Sequence, residues 1–237
     1  MKKGNYHPET YWSEVAKRMK KRDDDGEVVA GDDEPYYRYK REKFLELLKS
    51  INFEGSKVLE VGCGPGGNLI EVQDLNPYKL VGADISDKMV SLARKRVSEN
   101  VEIVKTNGTV LPFSDDSFDK VFTATVLQHV TDEKMLLDLL GEICRVSSDS
   151  IYLFEKADNS IKGDELCMSR PVEYYNDFVK KFGFTLVSKK PINIRMSYYI
   201  CGIIRKGLNP SSRKEGEPLN GLSVLSQKVT LPVTKMI

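Results

Sequence analysis

The stretch "VLEVGCGPGGN", residues 58–68, decides the fold. Val58, Leu59 and Val61 suit a parallel strand covered on both faces, and Gly62, Gly64, Gly66 and Gly67 follow at once. Glycine lets a backbone turn sharply and approach a partner that a Cβ would push away. Leu69, Ile70 and Val72 then resume an apolar pattern compatible with a helix. A strand, a glycine turn and a helix start form a cradle, because the free N–H groups of a helix N-terminus favour polar or anionic groups.

Downstream the chain alternates. "KLVGAD" (79–84) reads as a second strand, and Ser86 as the cap of a helix with Met89, Val90, Ala93 and Val97 on its apolar side. "VEIVKT" (101–106) and "FDKVFTAT" (118–125) are the third and fourth strands. Thr131 is expected to cap a helix lined by Leu136, Leu137, Leu140 and Ile143, and "SIYLFEK" (150–156) is the fifth strand. Such alternation implies right-handed crossovers and a Rossmann-like, doubly wound α/β sheet with helices on both faces. Pro171 opens a further helix that Gly183 stops. "FTLVSKKPI" (184–192) and "MSYYICGII" (196–204) then read as an antiparallel hairpin.

The glycine stretch fits two templates. Gly62, Gly64 and Gly67 satisfy the G-x-G-x-x-G of dinucleotide-binding folds, and Glu60, Gly62, Gly64 and Gly66 satisfy E-x-G-x-G-x-G. Asp84, at the end of the second strand, suits the ribose hydroxyls of an adenosine in either case. The next motifs separate the two. "NGTVLPFSDDSFD" (107–119) and "VLQHV" (126–130), with the E-x-G-x-G-x-G turn and Asp84, resemble in order and spacing class I S-adenosylmethionine (SAM) methyltransferases. The resemblance covers about residues 40–205 and is nearest to the broad group that includes the ubiquinone and menaquinone C-methyltransferases.

That resemblance implies a seven-stranded sheet, mostly parallel with one antiparallel strand, and SAM across the carboxyl ends of strands one to four. Gly62, Gly64 and Gly66 would approach the methionine portion, with Glu60 orienting it, and Cys63 between them is a further cofactor-binding residue. Asp84 would bind the ribose, Ile85 would pack on adenine and Asn107 would meet the adenine edge, with Gly108 and Thr125 as further cofactor-binding residues. The family usually has Asp where this chain has Asn107; an amide both accepts and donates, so adenine recognition is compatible with it. A second reading makes Asn107 a turn residue before Gly108. The N-P-P-Y-like motif of enzymes that methylate adenine or glutamine nitrogen is replaced by "TATVLQH".

The expected activity is methyl transfer to O, N or C of a small-molecule acceptor. The alternative is a SAM-binding sensor or partner subunit without catalysis. A base is needed only where the acceptor arrives protonated. His129 is the candidate, either as that base or as an anchor of the loop before Thr131. Residues 1–35 are read as a lid, in which Tyr6, His7, Tyr11 and Trp12 either close over the cofactor or pack as a helix. Glu155, at the end of strand five, either faces the acceptor or caps the strand.

Composition bounds the rest. The 237 residues suit one α/β domain, here 36–205, with embellishments. A net charge of +1 with 30% charged residues gives no general footprint for nucleic acid. Cys63, Cys144, Cys167 and Cys201 are scattered and read as reduced thiols, which points to a cytoplasmic protein. The acidic clusters at 23–25 and 32–34 lack the spacing of a calcium loop, so no metal is expected. Residues 206–237 form a polar linker and an apolar tail, with Leu219, Leu222, Leu225 and Val229 on one helical stripe that Pro232 would end or kink. The stripe implies docking on the same or a neighbouring protomer, or contact with a membrane surface. The tail's few basic residues, Lys228 and Lys235, favour docking.

Overall fold

The computed structural model describes residues 6–22, 34–192 and 194–234. Most of the expected loop at 21–35, with the acidic clusters at 23–25 and 32–33, and the last three residues lie outside them. The described elements, in chain order, begin with α1 (Pro8–Arg22), α2 (Pro35–Lys49), β1 (Lys57–Val61) and α3 (Gly67–Gln73). Then come β2 (Lys79–Asp84), α4 (Asp87–Arg96), β3 (Glu102–Lys105), β4 (Phe118–Ala124) and α5 (Glu133–Val146). Last are β5 (Ser147–Phe154), β6 (Lys162–Gly163), β7 (Met168–Ser169), α6 (Val172–Val179), α7 (Arg195–Leu208) and α8 (Gly221–Thr234). They group into two units, Met1–Glu14 with Asn52–Ser188, and Val15–Ile51 with Lys189–Ile237.

The first unit is built on a parallel sheet of order β3-β2-β1-β4-β5. Val61 pairs with Ala83 on one side and Thr123 on the other, so the carboxyl ends of β1, β2 and β4 are level. Chain order reverses beside β1, and that reversal opens the crevice in which α/β sheets hold ligands. Leu59, Val61, Val81 and Val121 bury against Leu136, Leu140 and Ile143 of α5, whose spacing puts them on one helical face. Each such side chain contributes about 1.5–3 kcal/mol on burial. Ser86 caps α4 by accepting the Met89 N–H at 3.3 Å. The cap of α5 is Asp132, which accepts the Met135 N–H at 2.9 Å, one residue beyond the expected Thr131. The Thr131 hydroxyl instead donates to the Glu165 carbonyl.

The expectation of seven strands is corrected. The sheet has five parallel strands, and β6 and β7 form a separate antiparallel pair. No strand occurs among the described residues of 184–192, and 196–204 lies inside helix α7. A short apolar run reads as strand or helix by pattern alone. Here burial at Ser197 and Cys201, four apart, is the helical solution.

The second unit contains α2, α7 and α8, around Tyr36, Tyr39, Cys201 and Leu231. Glu34 is buried there and accepts from Gln227 Nε2 at 2.8 Å and Arg205 Nη1 at 3.4 Å. Gln227 Oε1 in turn accepts the Tyr36 N–H at 3.1 Å. Pro232 neither ends nor breaks α8, which runs two residues past it. No helix among the described residues is long and apolar enough to cross a membrane.

Candidate cofactor and acceptor site

The turn after β1 is sewn to β2. Both Gly62 and Cys63 donate their N–H groups to the Ala83 carbonyl, at 2.7 and 3.0 Å. Gly62 has φ +75°, and a Cβ there would lie 2.3 Å from a methyl of Val126, so the turn is packed from behind. Gly64 has φ +53° and nothing within 4 Å of where its Cβ would be. The cradle therefore opens at Gly64, where a ligand can meet bare backbone. Gly66, also left-handed, leads into α3.

Asp84 locks that turn. One carboxylate oxygen accepts the Gly64 N–H at 2.8 Å and the other accepts the Ser86 N–H at 2.8 Å. Each oxygen retains acceptor capacity for a hydroxyl. Burial pushes the Asp84 carboxyl up to about 6, against the lowering effect of those backbone bonds. Glu60, buried on β1, accepts from Asn68 Nδ2 at 2.7 Å, which ties the strand to the first turn of α3. Cys63 and Leu69 fill the space that a side chain at Gly82 would need, and burial pushes the Cys63 thiol well up. That is a packing thiol, not a reactive one.

The β3 end completes one edge. Asn107 Oδ1 accepts the N–H groups of Thr109 and Val110 at 3.0 and 2.8 Å, an Asx turn. A side chain at Gly108, φ +87°, would collide with Ile85 Cδ1 at 2.5 Å, so Ile85 lies over this loop. The structure thus brings Asp84, Ile85, Asn107 and Gly108 together at the ends of β2 and β3.

The turn after β4 starts at Thr125, φ +59°, whose N–H donates to the Phe154 carbonyl at 2.9 Å. Glu155 accepts from the Thr123 hydroxyl at 2.8 Å and the Val126 N–H at 3.0 Å through one oxygen, and from the Gln128 N–H at 3.2 Å through the other. Desolvation raises its carboxyl despite these donors. These bonds tie Glu155 to the end of β4 and the turn that follows it. Gln128 Oε1 accepts the Lys156 N–H at 3.0 Å, which turns its amide nitrogen toward His129 Nε2 at 3.1 Å. His129 Nδ1 lies 2.8 Å from the Leu166 carbonyl, an acceptor only. The imidazole is therefore assigned as the neutral Nδ1–H tautomer, donating to Leu166 and accepting from Gln128.

Sequence reasoning missed Arg170. It is fully buried and donates to the carbonyls of Leu127 at 3.2 Å and Val130 at 3.0 Å. A lone Arg before a proline carries no signal for such a role.

The N-terminal segment reaches the same edge. Tyr6 donates to the His129 carbonyl at 3.1 Å, and Trp12 stands edge-on to the His129 ring at 5.0 Å between centroids. Tyr11 bridges Tyr6 and Trp12 by ring contacts. Glu9 pairs with Lys105 at 3.0 Å, and the Ser13 hydroxyl meets that of Ser86 at 2.9 Å. The segment thus touches the ends of β2, β3 and β4. His7 stays exposed, 3.5 Å from the Thr10 hydroxyl.

Residues 58–149 match the family described as "Methyltransferase domain". The demethylmenaquinone methyltransferase of Listeria monocytogenes is 33% identical over 108 residues, 43% of this chain and 44% of that protein. Phosphoethanolamine N-methyltransferase 1 of Arabidopsis thaliana is 26% identical over 147 residues, 60% of this chain and 28% of that one. The chain spans about half or less of the length of the curated relatives it matches. Magnesium protoporphyrin IX methyltransferase from Synechocystis PCC 6803, solved with bound SAH, shares the fold at TM-score 0.61 and 16% identity, over 79% of this chain and 92% of that one. Strand, positive-φ glycine turn and strand-end carboxylate all fall within residues 58–149, the stretch that matches a methyltransferase domain.

Proposed function

We propose that this protein transfers a methyl group from SAM to O, N or C of a small-molecule acceptor. The observation that carries the reading is the Gly64–Asp84 lock: a bare, left-handed glycine turn held to a buried carboxylate at the crevice of the sheet. Glu60, Gly62, Cys63, Gly64 and Gly66 would hold the methionine portion, and Asp84 the ribose. Ile85, Asn107 and Gly108 would hold the adenine, with Thr125 starting the wall opposite. When bound, SAM supplies an electrophilic methyl group, and the protein is left to align the acceptor and exclude water. Tyr6, Tyr11 and Trp12 are assigned that exclusion, because their segment lies along the ends of β2, β3 and β4. His129, with both ring nitrogens engaged, is assigned as an anchor, so the reading needs an acceptor that arrives unprotonated or loses its proton to water. Relatives named for phosphoethanolamine and demethylmenaquinone support a small acceptor. The four free cysteines suit the cytoplasm.

Calorimetry is expected to show SAH binding, with NAD inert. Asp84→Ala is expected to weaken SAH by about 10- to 100-fold, the worth of hydrogen bonds to a charged acceptor. The pH dependence has opposite signs in two measurements. A folded pKa of about 6 against an ordinary 3.8 means that ionising Asp84 opposes folding, so its contribution to stability falls as pH rises between those values. Ribose hydroxyls prefer the ionised form, so SAH affinity is expected to fall as pH drops through about 6. Asp84→Ala should lose that inflection, and an unchanged profile would remove Asp84 from the ribose. Release of SAH during turnover with small amines, phenols and quinols tests the transfer itself.

A further inference from the structure

The pair α7 and α8 is built inside out. In α8 the buried positions are Ser223, Gln227, Leu231 and Thr234, three of them polar. On the opposite side Leu222, Leu225, Val229 and Val233 repeat at helical spacing and are 57–67% exposed. In α7, likewise, Ser197 and Cys201 are buried while Met196, Tyr199 and Ile203 form an outward stripe. Three of these polar groups are bonded, Ser197 to Thr234 at 2.9 Å and Gln227 to Glu34 and the Tyr36 N–H, while the Ser223 hydroxyl is buried without a partner. So α8 does pack within its own unit, but through its polar side. The apolar side that a docking helix would bury remains outward.

Charge selects what covers it. Residues 189–237 carry nine basic residues and two acidic ones, Glu215 and Glu217, a surplus of seven positive charges in a chain whose total is +1. Lys228 lies on α8 itself, Arg205 and Lys206 end α7, and Arg213 and Lys214 follow in the connection. The tail alone, with two lysines, understates this; the surplus belongs to the whole segment. A second copy docking face to face would bring the same surplus against itself, which disfavours it. An anionic lipid surface accepts both features, apolar side chains at the acyl boundary and lysine or arginine at the headgroups. Each helix has 14 residues, roughly 21 Å, short of the ~30 Å hydrocarbon core, so the pair would lie on a bilayer rather than cross it. Exposed Tyr198 and Tyr199 suit the interface, where an apolar ring with a polar tip is favoured.

We infer that α7 and α8 form a docking face for an anionic membrane surface, independent of methyl transfer. The test is co-sedimentation of the full chain with vesicles of phosphatidylcholine, with and without phosphatidylglycerol. The protein should pellet with the anionic vesicles, less as salt is raised, and stay in solution with phosphatidylcholine alone. Leu225→Ser with Val229→Ser should release it while leaving the melting temperature unchanged, since both side chains already face water. Lys206→Gln or Lys228→Gln should each weaken binding about fivefold. No pelleting with anionic vesicles, or pelleting that the double serine variant leaves intact, overturns the proposal. A concentration-dependent dimer in light scattering that the same variant abolishes would do so too, by assigning the stripe to a second copy.

Discussion

Replacing Gly62 by alanine is expected to cost about 2–5 kcal/mol of folding stability and to abolish cofactor binding. Two separate costs meet at this residue. Its φ of +75° strains any residue with a Cβ, by about 1–2 kcal/mol. The new Cβ would also stand 2.3 and 2.9 Å from the two methyls of Val126, and relief of such overpacking typically costs 1–3 kcal/mol. Val126 cannot turn away cheaply: it is β-branched, and its N–H is held by Glu155 at 3.0 Å. Relief must therefore come from moving the turns after β1 and β4 apart, the two walls of the proposed site. Gly64→Ala is the control. Its φ of +53° carries strain, but nothing lies within 4 Å of its Cβ, so it should fold with a loss near 1 kcal/mol and still fail to bind SAH. Urea unfolding of both variants checks this. Equal losses would mean that the contact with Val126 is not what makes Gly62 obligatory.

The contrast between these glycines shows what the sequence can carry. Each strand of the sheet and each crossover helix was legible, because a buried parallel strand and a one-faced helix impose their periods on neighbouring residues. Asp84 was legible too, since it lies a fixed distance along one crossover from the glycines. The cofactor edge is local in this sense. The acceptor edge is not. His129 is fixed by the carbonyl of Leu166, 37 residues on; Arg170 reaches back 43 residues to Leu127; Tyr6 bonds to His129 across 123. No period links such pairs, and loop carbonyls accept from any donor the fold delivers. The misread segment at 196–204 failed for another reason. In "MSYYICGII" α7 buries Ser197 and Cys201 and turns its apolar stripe outward, so the rule that apolar residues face inward pointed to the wrong element.

Arg170→Met is expected to lower stability by about 3–5 kcal/mol, although Arg170 contributes to no sequence motif. Breaking one side of a buried charged network leaves its partners unsatisfied, which sets that range. Its hydrogen-bond acceptors are the carbonyls of Leu127 and Val130, both on the turn after β4, and half-exposed Glu133 stands 4.0 Å from Nη2. Glu155 holds the same turn from its N–H side, at Val126 and Gln128. The turn is thus gripped by a carboxylate on its donors and a guanidinium on its acceptors, with opposite charges polarising one short run of peptide units. Arg170→Lys should recover only part of the loss, because a single ammonium does not reproduce the planar fork that reaches two carbonyls. Glu155→Gln alone should cost less, as its amide oxygen can keep one set of donors while its NH₂ opposes another. Combining Glu155→Gln with Arg170→Met gives the decisive comparison. Once the turn is released from one side, the other grip has less to hold, so the double variant should fall short of the summed single losses by roughly 1 kcal/mol or more. Strict additivity in urea unfolding would mean that the two residues act on separate structures and that no shared grip exists. Coupling would also reach the cradle, since Val126 is the residue that packs on Gly62. SAH affinity should then fall in Arg170→Met even though Arg170 lies outside the residues proposed to hold the cofactor.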